Sequence, residues 1–230
     1  MSESGLAQYK IDFIHLLVRA GILTFGDFTT KSGRRTPYFI NTGNFCTGRQ
    51  IEALGTFYAE AIEAALGDGY DNLYGPAYKG IPLVVTTSSG LWRTFQRDVS
   101  YTFNRKEVKD HGEGGSLVGH KYRGGERVVI VEDVVTAGTS IDESVPILRA
   151  AAPDLDLVAV VVSVDRQERG QTERTALAEI ESRYGMRTFA ICTIDEIVAY
   201  LRDHDIDGKR LLDDDLLTRI AAYRAEYGAV

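Results

Sequence analysis

Residues 128–140, VVIVEDVVTAGTS, constrain the fold of this 230-residue chain more than any other stretch. The run VVIV is apolar at every position, so it reads as a strand buried on both faces. Such strands belong to parallel sheets, whose crossovers lay helices on both sides. This strand delivers two adjacent carboxylates, Glu132 and Asp133, to its carboxyl end. Three residues later the chain turns through Thr136-Ala137-Gly138-Thr139-Ser140 into a helix.

The flanking sequence repeats the alternation. Leu157–Val164 is a second wholly apolar strand, followed by a helix over about 171–184 and a strand at Thr188–Cys192. Thr193 and Glu196 form a capping box that opens a further helix, and a last helix covers about 213–227. In the first half, Leu6, Phe13, Ile14, Leu17 and Val18 mark a helix over 6–20, stopped by Gly21. Residues 25–41 read as a hairpin with Lys31-Ser32-Gly33-Arg34 at the turn. Thr47 and Gln50 cap a helix that runs to about Leu66; a short strand at Asn72–Tyr74, the turn GPAYKG and a helix over 80–95 follow. Val99–Phe103 alternates as a strand. Residues 105–125 hold six glycines, many charges and almost no apolar period, and are expected to form a long loop. Strands alternating with helices define an α/β class with a mostly parallel central sheet. No linker or repeat divides the chain. One domain over 1–230 is expected, with about 1–45 contributing a helix and hairpin as an attached subdomain.

Charge narrows the function. The net charge is −7, and the acidic excess falls in the second half. A general nucleic-acid binder needs a basic face, so no nucleic-acid partner is expected. Anionic small molecules remain open, because two local cation groups exist: Lys31, Arg34 and Arg35, then Arg105, Lys106 and Lys109. No apolar run approaches the roughly 18–20 residues of a spanning helix. The start MSESGLAQYK has no basic-then-apolar pattern, and Cys46 and Cys192 form no CxxC. The expectation is a cytoplasmic protein with no membrane partner.

In open α/β sheets, ligands bind at the carboxyl ends of strands. The helix start after the turn at 136–140 offers unpaired N–H groups and a positive dipole end, which suit phosphate. Gly138 lets backbone approach closely, and Thr136, Thr139 and Ser140 add hydroxyl donors. Carboxylates cannot serve the phosphate; they accept hydrogen bonds from sugar hydroxyls. The segment therefore reads as a cradle for a ribose 5-phosphate. Five small residues alone would read as an ordinary strand–turn–helix with N-cap threonines; the acid pair weighs against that. Neither GxxxxGK[ST], GxSxG nor HExxH occurs, and the glycines at 112, 114 and 115 do not make GxGxxG.

EDVVTAGTS resembles the phosphoribosyl-pyrophosphate signature of type I phosphoribosyltransferases. FTTKSGRRTPYFINTG (28–43), LYGPAYKGIPL (73–83), FNRKEVKDHGEGG (103–115) and SVDRQERG (163–170) resemble the orotate phosphoribosyltransferase family, in that family's order. The resemblance thins beyond about residue 185. It implies the type I phosphoribosyltransferase fold, a mostly parallel sheet flanked by helices with a small N-terminal hood. It implies transfer of phosphoribose from 5-phosphoribosyl 1-pyrophosphate (PRPP) to N1 of orotate, giving orotidine 5′-monophosphate and pyrophosphate. Mg²⁺ would accompany the reaction, held mainly by substrate and not by a protein cage. A homodimer with active sites shared across the interface is also implied, the 104–115 segment reaching the partner's site.

The same resemblance implies a residue set. PRPP would be bound by Lys31, Tyr78, Lys79, Arg105, Lys106, Lys109 and His111, and by the run Glu132, Asp133, Val134, Val135, Thr136, Ala137, Gly138, Thr139 and Ser140. Lys109, Arg105 and Asp133 would be catalytic, with Lys109 the main lysine. Orotate would meet Tyr38, Phe39, Thr136 and Arg166, through one of the two rings or the backbone of that strand. By itself a lone Arg after a strand reads as a surface charge; with the orotate that the resemblance implies, the Arg166 guanidinium would match its planar carboxylate bidentately. Arg169 ranks below it. Another base-specific phosphoribosyltransferase would share EDVVTAGTS without the KSGRRTPYF and DRQERG context. A non-catalytic PRPP sensor would not need the basic 105–111 cluster.

Overall fold

The computed structural model describes residues 5–30, 33–109, 115–170 and 172–229; the side chains at 107–109 and 115 fall outside that set. Helix α1 (Gln8–Arg19) leads into a two-stranded antiparallel sheet, β1 (Leu23–Thr29) and β2 (Arg35–Ile40). Helix α2 (Gly48–Leu66) starts at the Thr47/Gln50 capping box read from the sequence. The remaining elements are β3 (Asn72–Gly75), α3 (Gly80–Phe95), β4 (Ser100–Lys109), β5 (Gly115–Gly119), β6 (Arg127–Val131) and α4 (Thr139–Ala151). They continue with β7 (Asp156–Asp165), α5 (Ala176–Tyr184), β8 (Arg187–Thr193), α6 (Ile194–Asp203) and α7 (Asp214–Tyr227).

The six strands β3–β8 form one sheet in the order β5-β4-β3-β6-β7-β8, parallel except for the antiparallel edge strand β5. Period-two alternation divides the buried side chains between two cores. Leu73, Val129, Val131 and Val161 face helices α1, α2 and α3, while Tyr74, Val128, Ile130, Val160 and Val162 face α4 and α5. After β3 the chain crosses to β4; after β6 it crosses the opposite way, to β7. The neighbours β3 and β6 therefore flank a topological switch point, where the two connecting loops diverge and leave a crevice.

Two expectations need correction. Residues 105–125 are not a loop throughout: β4 continues to Lys109, and Gly115–Gly119 pairs back with it, with a register irregularity between Asn104 and Lys109. An edge strand is held by backbone hydrogen bonds, and a short Gly-Ser-Leu-Val-Gly stretch carries little side-chain signal for it. The helix expected over 171–184 begins only at Ala176. Thr175 caps it by accepting from the Ala178 N–H, and Arg169 pairs with Thr175 just before.

Helices α2 and α3 touch through glycines. A Cβ on Gly90 would lie 2.8 Å from the Gly55 carbonyl oxygen, and one on Gly55 would lie 2.5 Å from that of Thr86. Gly90→Ala is expected to destabilise the protein by about 1–3 kcal/mol, because the atoms its Cβ would meet are backbone of Gly55 and Thr56. Thermal denaturation would show a loss of about 2–4 °C for each of those kcal/mol.

Candidate active site at the carboxyl edge of the sheet

Strand β6 ends where the sequence placed it, and its two acids are buried: Glu132 is 6% exposed and Asp133 7%. Their backbone is tied down on both sides. The Tyr58 hydroxyl of α2 donates to the Glu132 carbonyl at 2.6 Å, and the Ser163 hydroxyl of β7 donates to the Asp133 carbonyl at 2.6 Å. The Glu132 carboxylate accepts the Asp133 N–H at 2.9 Å. Asp133 Oδ1 accepts the Val134 N–H at 2.7 Å; its Oδ2 accepts from Lys79 Nζ at 2.6 Å and from the Thr42 hydroxyl at 2.7 Å.

The two acids titrate in opposite directions. Burial pushes Glu132 up to about 7, with the Asp133 charge adding to it and hydrogen bonds from the Asp133 N–H and Ser140 opposing. Burial would raise Asp133 as well, but the hydrogen bonds from Lys79, Thr42 and the Val134 N–H together hold it below the usual carboxylate range. One site thus keeps a firmly ionised acid beside one that titrates near neutrality.

After the acids, Val134 and Val135 are half-buried, and Thr136 and Ala137 are exposed. Gly138 takes a left-handed φ of 76°, a conformation that glycine adopts without steric cost. It opens α4, so Thr139 and Ser140 occupy the first turn, where N–H groups point at an incoming anion. Across the switch point, loop 76–79 links β3 to α3. Gly75 and Gly80 meet backbone to backbone, since a Cβ on Gly75 would lie 2.2 Å from the Gly80 carbonyl oxygen. The Ala77 N–H donates to Asn104 Oδ1 at 2.8 Å. This loop carries Tyr78, 70% exposed, and Lys79, whose ion pair with Asp133 spans the switch point. Gly75→Ala is expected to displace the loop and, if the site takes the PRPP that the resemblance implies, to lower its affinity about tenfold or more, since small misplacements of positioning groups cost heavily. Isothermal titration with PRPP checks it.

The cations on β4 reach the same edge. Phe103 is the register partner of Gly75, so Arg105 and Lys106 extend past the end of β3. Lys106 Nζ stands 5.8 Å from the centre of the Tyr78 ring, and Arg105 is half-buried. Lys109 lies on β4, but its side chain, and Lys31 and His111 altogether, are outside the described residues.

A second cleft, of about 580 Å³, opens beside the first and joins the β1–β2 hairpin to the main sheet. Thr30, Phe39, Thr136, Ala137, Arg166 and Glu168 are among its lining residues. Phe39 stacks on Phe28 with ring centres 5.6 Å apart. Tyr38 is not part of this lining. Its ring is fully buried, packed edge-on against Tyr223, and burial pushes its hydroxyl pKa up. Of the two aromatic rings the sequence offered, Phe39 alone faces the cleft. Arg166 lies at the end of β7, next to β6, and faces the cleft with Arg169 farther along the same wall. Arg169 is engaged by Glu173 at 2.8 Å and by the Glu226 carbonyl.

Sequence reasoning missed Thr42, Glu168 and Tyr223. Thr42 falls in a short 3-10 turn after β2; it lies at the end of the matched FTTKSGRRTPYFINTG stretch but was given no role there. Glu168 lay within the matched DRQERG but was given no role, and Tyr223 lies in the C-terminal part where the resemblance had faded.

The buried acid pair, the helix start directly after it and the cations around the switch point all lie within or beside the segments whose sequence resembles the phosphoribosyltransferases. The family model for the phosphoribosyl transferase domain matches residues 42–186. Orotate phosphoribosyltransferase of Clostridium beijerinckii is 54% identical over 224 residues, covering 97% of this chain and 100% of that protein. The enzyme of that name from Cronobacter sakazakii is 47% identical over 223 residues, with 97% and 100% covered. The crystal structure of orotate phosphoribosyltransferase from Francisella tularensis superposes with a TM-score of 0.82 at 34% identity, covering 95% of this chain and 100% of that one. The chain belongs to the phosphoribosyltransferase family and, within it, to the orotate phosphoribosyltransferases.

Proposed function

We propose that this chain transfers the 5-phosphoribosyl group of PRPP to N1 of orotate, with the two clefts dividing the substrates between them. The acid pair and the turn to Ser140 hold the phosphoribose, and the Phe39–Arg166 cleft holds orotate. The observation that carries the reading is that Thr136 and Ala137 belong at once to the phosphate turn and to the wall of the second cleft. A base there lies beside the sugar.

Transfer at the anomeric carbon develops positive charge on the ribose and negative charge on the departing pyrophosphate. Orotate N1 supplies the nucleophile, so the protein's work is positioning and charge stabilisation. Asp133 and Glu132 orient the ribose hydroxyls. Lys79 leaves Asp133 for the pyrophosphate as it arrives. Tyr78, Arg105 and Lys106 stand where they can join it, and Lys31, Lys109 and His111 are assigned there by family resemblance. Arg166 takes the orotate carboxylate, and Phe39 covers the ring.

Mg²⁺ fits this donor set as a companion of the substrate. Glu132 and Asp133 supply the hard oxygen atoms it favours, but no cluster of three or more metal-binding side chains occurs among the described residues. Bound through PRPP oxygens, the ion would neutralise charge on the leaving group.

A homodimer belongs to the same proposal. Val85 and Trp92 sit seven residues apart on one face of α3, and Tyr101 opens β4; all three are exposed apolar side chains. They lie on the same element pair that carries Arg105 and Lys106, so a partner seated there would bring those cations to a shared edge. A single folding unit is supported by a core that links hood residues Leu23 and Tyr38 with Leu73 and Val129 of the main sheet. No helix among the described residues is long and apolar enough to cross a membrane. Cys46 and Cys192 are free thiols, which suits a reducing, cytoplasmic compartment.

The decisive experiment is pyrophosphate release from PRPP and Mg²⁺ on adding orotate, with and without EDTA. Orotate-dependent release abolished by EDTA is expected; release with other bases but not orotate overturns the reading.

A further inference from the structure

Arg166 is held on one edge before any substrate arrives. Its Nε and Nη2 both donate to Oε1 of Glu168, at 3.0 and 2.6 Å. The same oxygen accepts from the Tyr38 hydroxyl at 3.1 Å and the Tyr223 hydroxyl at 3.0 Å. Arg34 of the hood stands 3.9 Å from Oε2. The backbone beneath is fixed as well. Gln167 adopts a left-handed φ of 51°, Asp165 accepts its N–H at 2.8 Å, and Arg224 of α7 donates to the carbonyls of Arg166 and Gln167, each at 3.0 Å.

Four donors converge on one carboxylate oxygen, and the ion pair is only 16% exposed on either side. A guanidinium has five N–H groups in a rigid plane, so fixing Nε and Nη2 fixes the direction of the remaining N–H groups. Among the described residues Nη1 has no hydrogen-bond partner, and Arg166 shares the cleft wall with Phe39 and Thr136. Bidentate recognition of a carboxylate requires such a preset plane.

We propose that Glu168 is a positioning residue for the carboxylate of the pyrimidine substrate. It orients the Arg166 guanidinium toward the cleft, and the hydroxyls of Tyr38 and Tyr223 lock Glu168 in place. The inference rests on the reading that Arg166 takes that carboxylate. It also gives the C-terminal helix a function, since Tyr223 and Arg224 both act on this turn.

The test compares Glu168→Ala, Glu168→Gln and Tyr223→Phe with the wild type, measuring KM for orotate, KM for PRPP and the preference for orotate over uracil, the same ring without the carboxylate. Glu168→Ala is expected to raise KM for orotate about tenfold or more, with KM for PRPP within about twofold and the orotate preference falling in step. Glu168→Gln, which keeps an acceptor oxygen, should fall between, and Tyr223→Phe should move the same ratio by about twofold to threefold. In combination with Arg166→Ala, loss of Glu168 should add almost nothing. Parallel increases in both KM values with an unchanged orotate preference, or full additivity with Arg166→Ala, overturn the proposal. If Glu168→Ala fails to fold, the other two variants decide by the same ratio. A wild type that ignores orotate defeats the underlying reading; an active wild type with unselective variants defeats this inference alone.

Discussion

Asp133→Asn is expected to lower kcat/KM for PRPP by about 10²–10³-fold, the usual cost of one preorganised electrostatic contact, and to leave KM for orotate within about twofold. The reason lies in what surrounds the carboxylate. Lys79 and the Thr42 hydroxyl both donate to Oδ2, and the Val134 N–H donates to Oδ1. Three donors keep this buried acid ionised, and an ionised acceptor binds a sugar hydroxyl about twice as strongly as a neutral one. Asparagine has nearly the same shape but carries an NH₂ group. In one orientation that group faces Lys79 and Thr42, donor against donor; in the other it faces the Val134 N–H. Both the proposed ribose contact and the resting place of Lys79 are therefore lost together. Steady-state kinetics with PRPP varied at saturating orotate, beside a circular dichroism check of folding, measures the effect. A loss confined to orotate, or no loss, would show that the sugar is held elsewhere.

The part of this site that was legible in the sequence is the part that local rules govern. VVIV followed by two acids and TAGTS encodes a strand, a turn and a helix start within thirteen residues, and the structure has all three in that order, with the helix opening at Thr139, inside the run read as turn. The Thr47/Gln50 and Thr193/Glu196 capping boxes are equally local, and both form. Long-range partners were not legible. The Thr42–Asp133 bond joins residues 91 apart, and the Glu168–Tyr223 bond joins residues 55 apart. No periodicity connects such positions. The ambiguity between Tyr38 and Phe39 has a specific cause. Thr36, Pro37 and Tyr38 are buried in succession on β2, and β1 carries a register irregularity between Phe25 and Phe28, so simple alternation does not say which ring faces the cleft. The edge strand β5 was hidden for a different reason: its stability comes from backbone pairing to β4, which composition does not report.

Glu132→Gln is expected to stabilise the protein at pH 8 while weakening PRPP binding. In the folded state the Glu132 carboxyl titrates near 7, raised from 4.5 chiefly by burial. Between those two values the folded chain holds a proton that the unfolded chain has released. Stability therefore falls as pH rises through this window, and the deficit is complete above about 7. At pH 8, above the folded value, that cost to stability is present in full. The opposite shift at Asp133 does not cancel it, because a lowered carboxyl adds stability that is lost only in acid, as pH falls through its depressed folded value. Glutamine removes the charge and keeps an oxygen able to accept the Asp133 N–H. At pH 8 the variant should melt about 5 °C or more above the wild type, and near pH 4.5 the two should converge. PRPP should bind the variant about tenfold more weakly at pH 8, since a neutral amide is the poorer acceptor for a ribose hydroxyl. Calorimetric melting across pH 4.5–8, with titration of PRPP at pH 8, tests both halves. An equal gain at every pH would mean that packing, not ionisation, sets the difference, and unchanged PRPP affinity would remove Glu132 from the sugar site. The acid is therefore retained at a cost to folding, and that cost is largest where the carboxylate is ionised and can accept the sugar's hydroxyls.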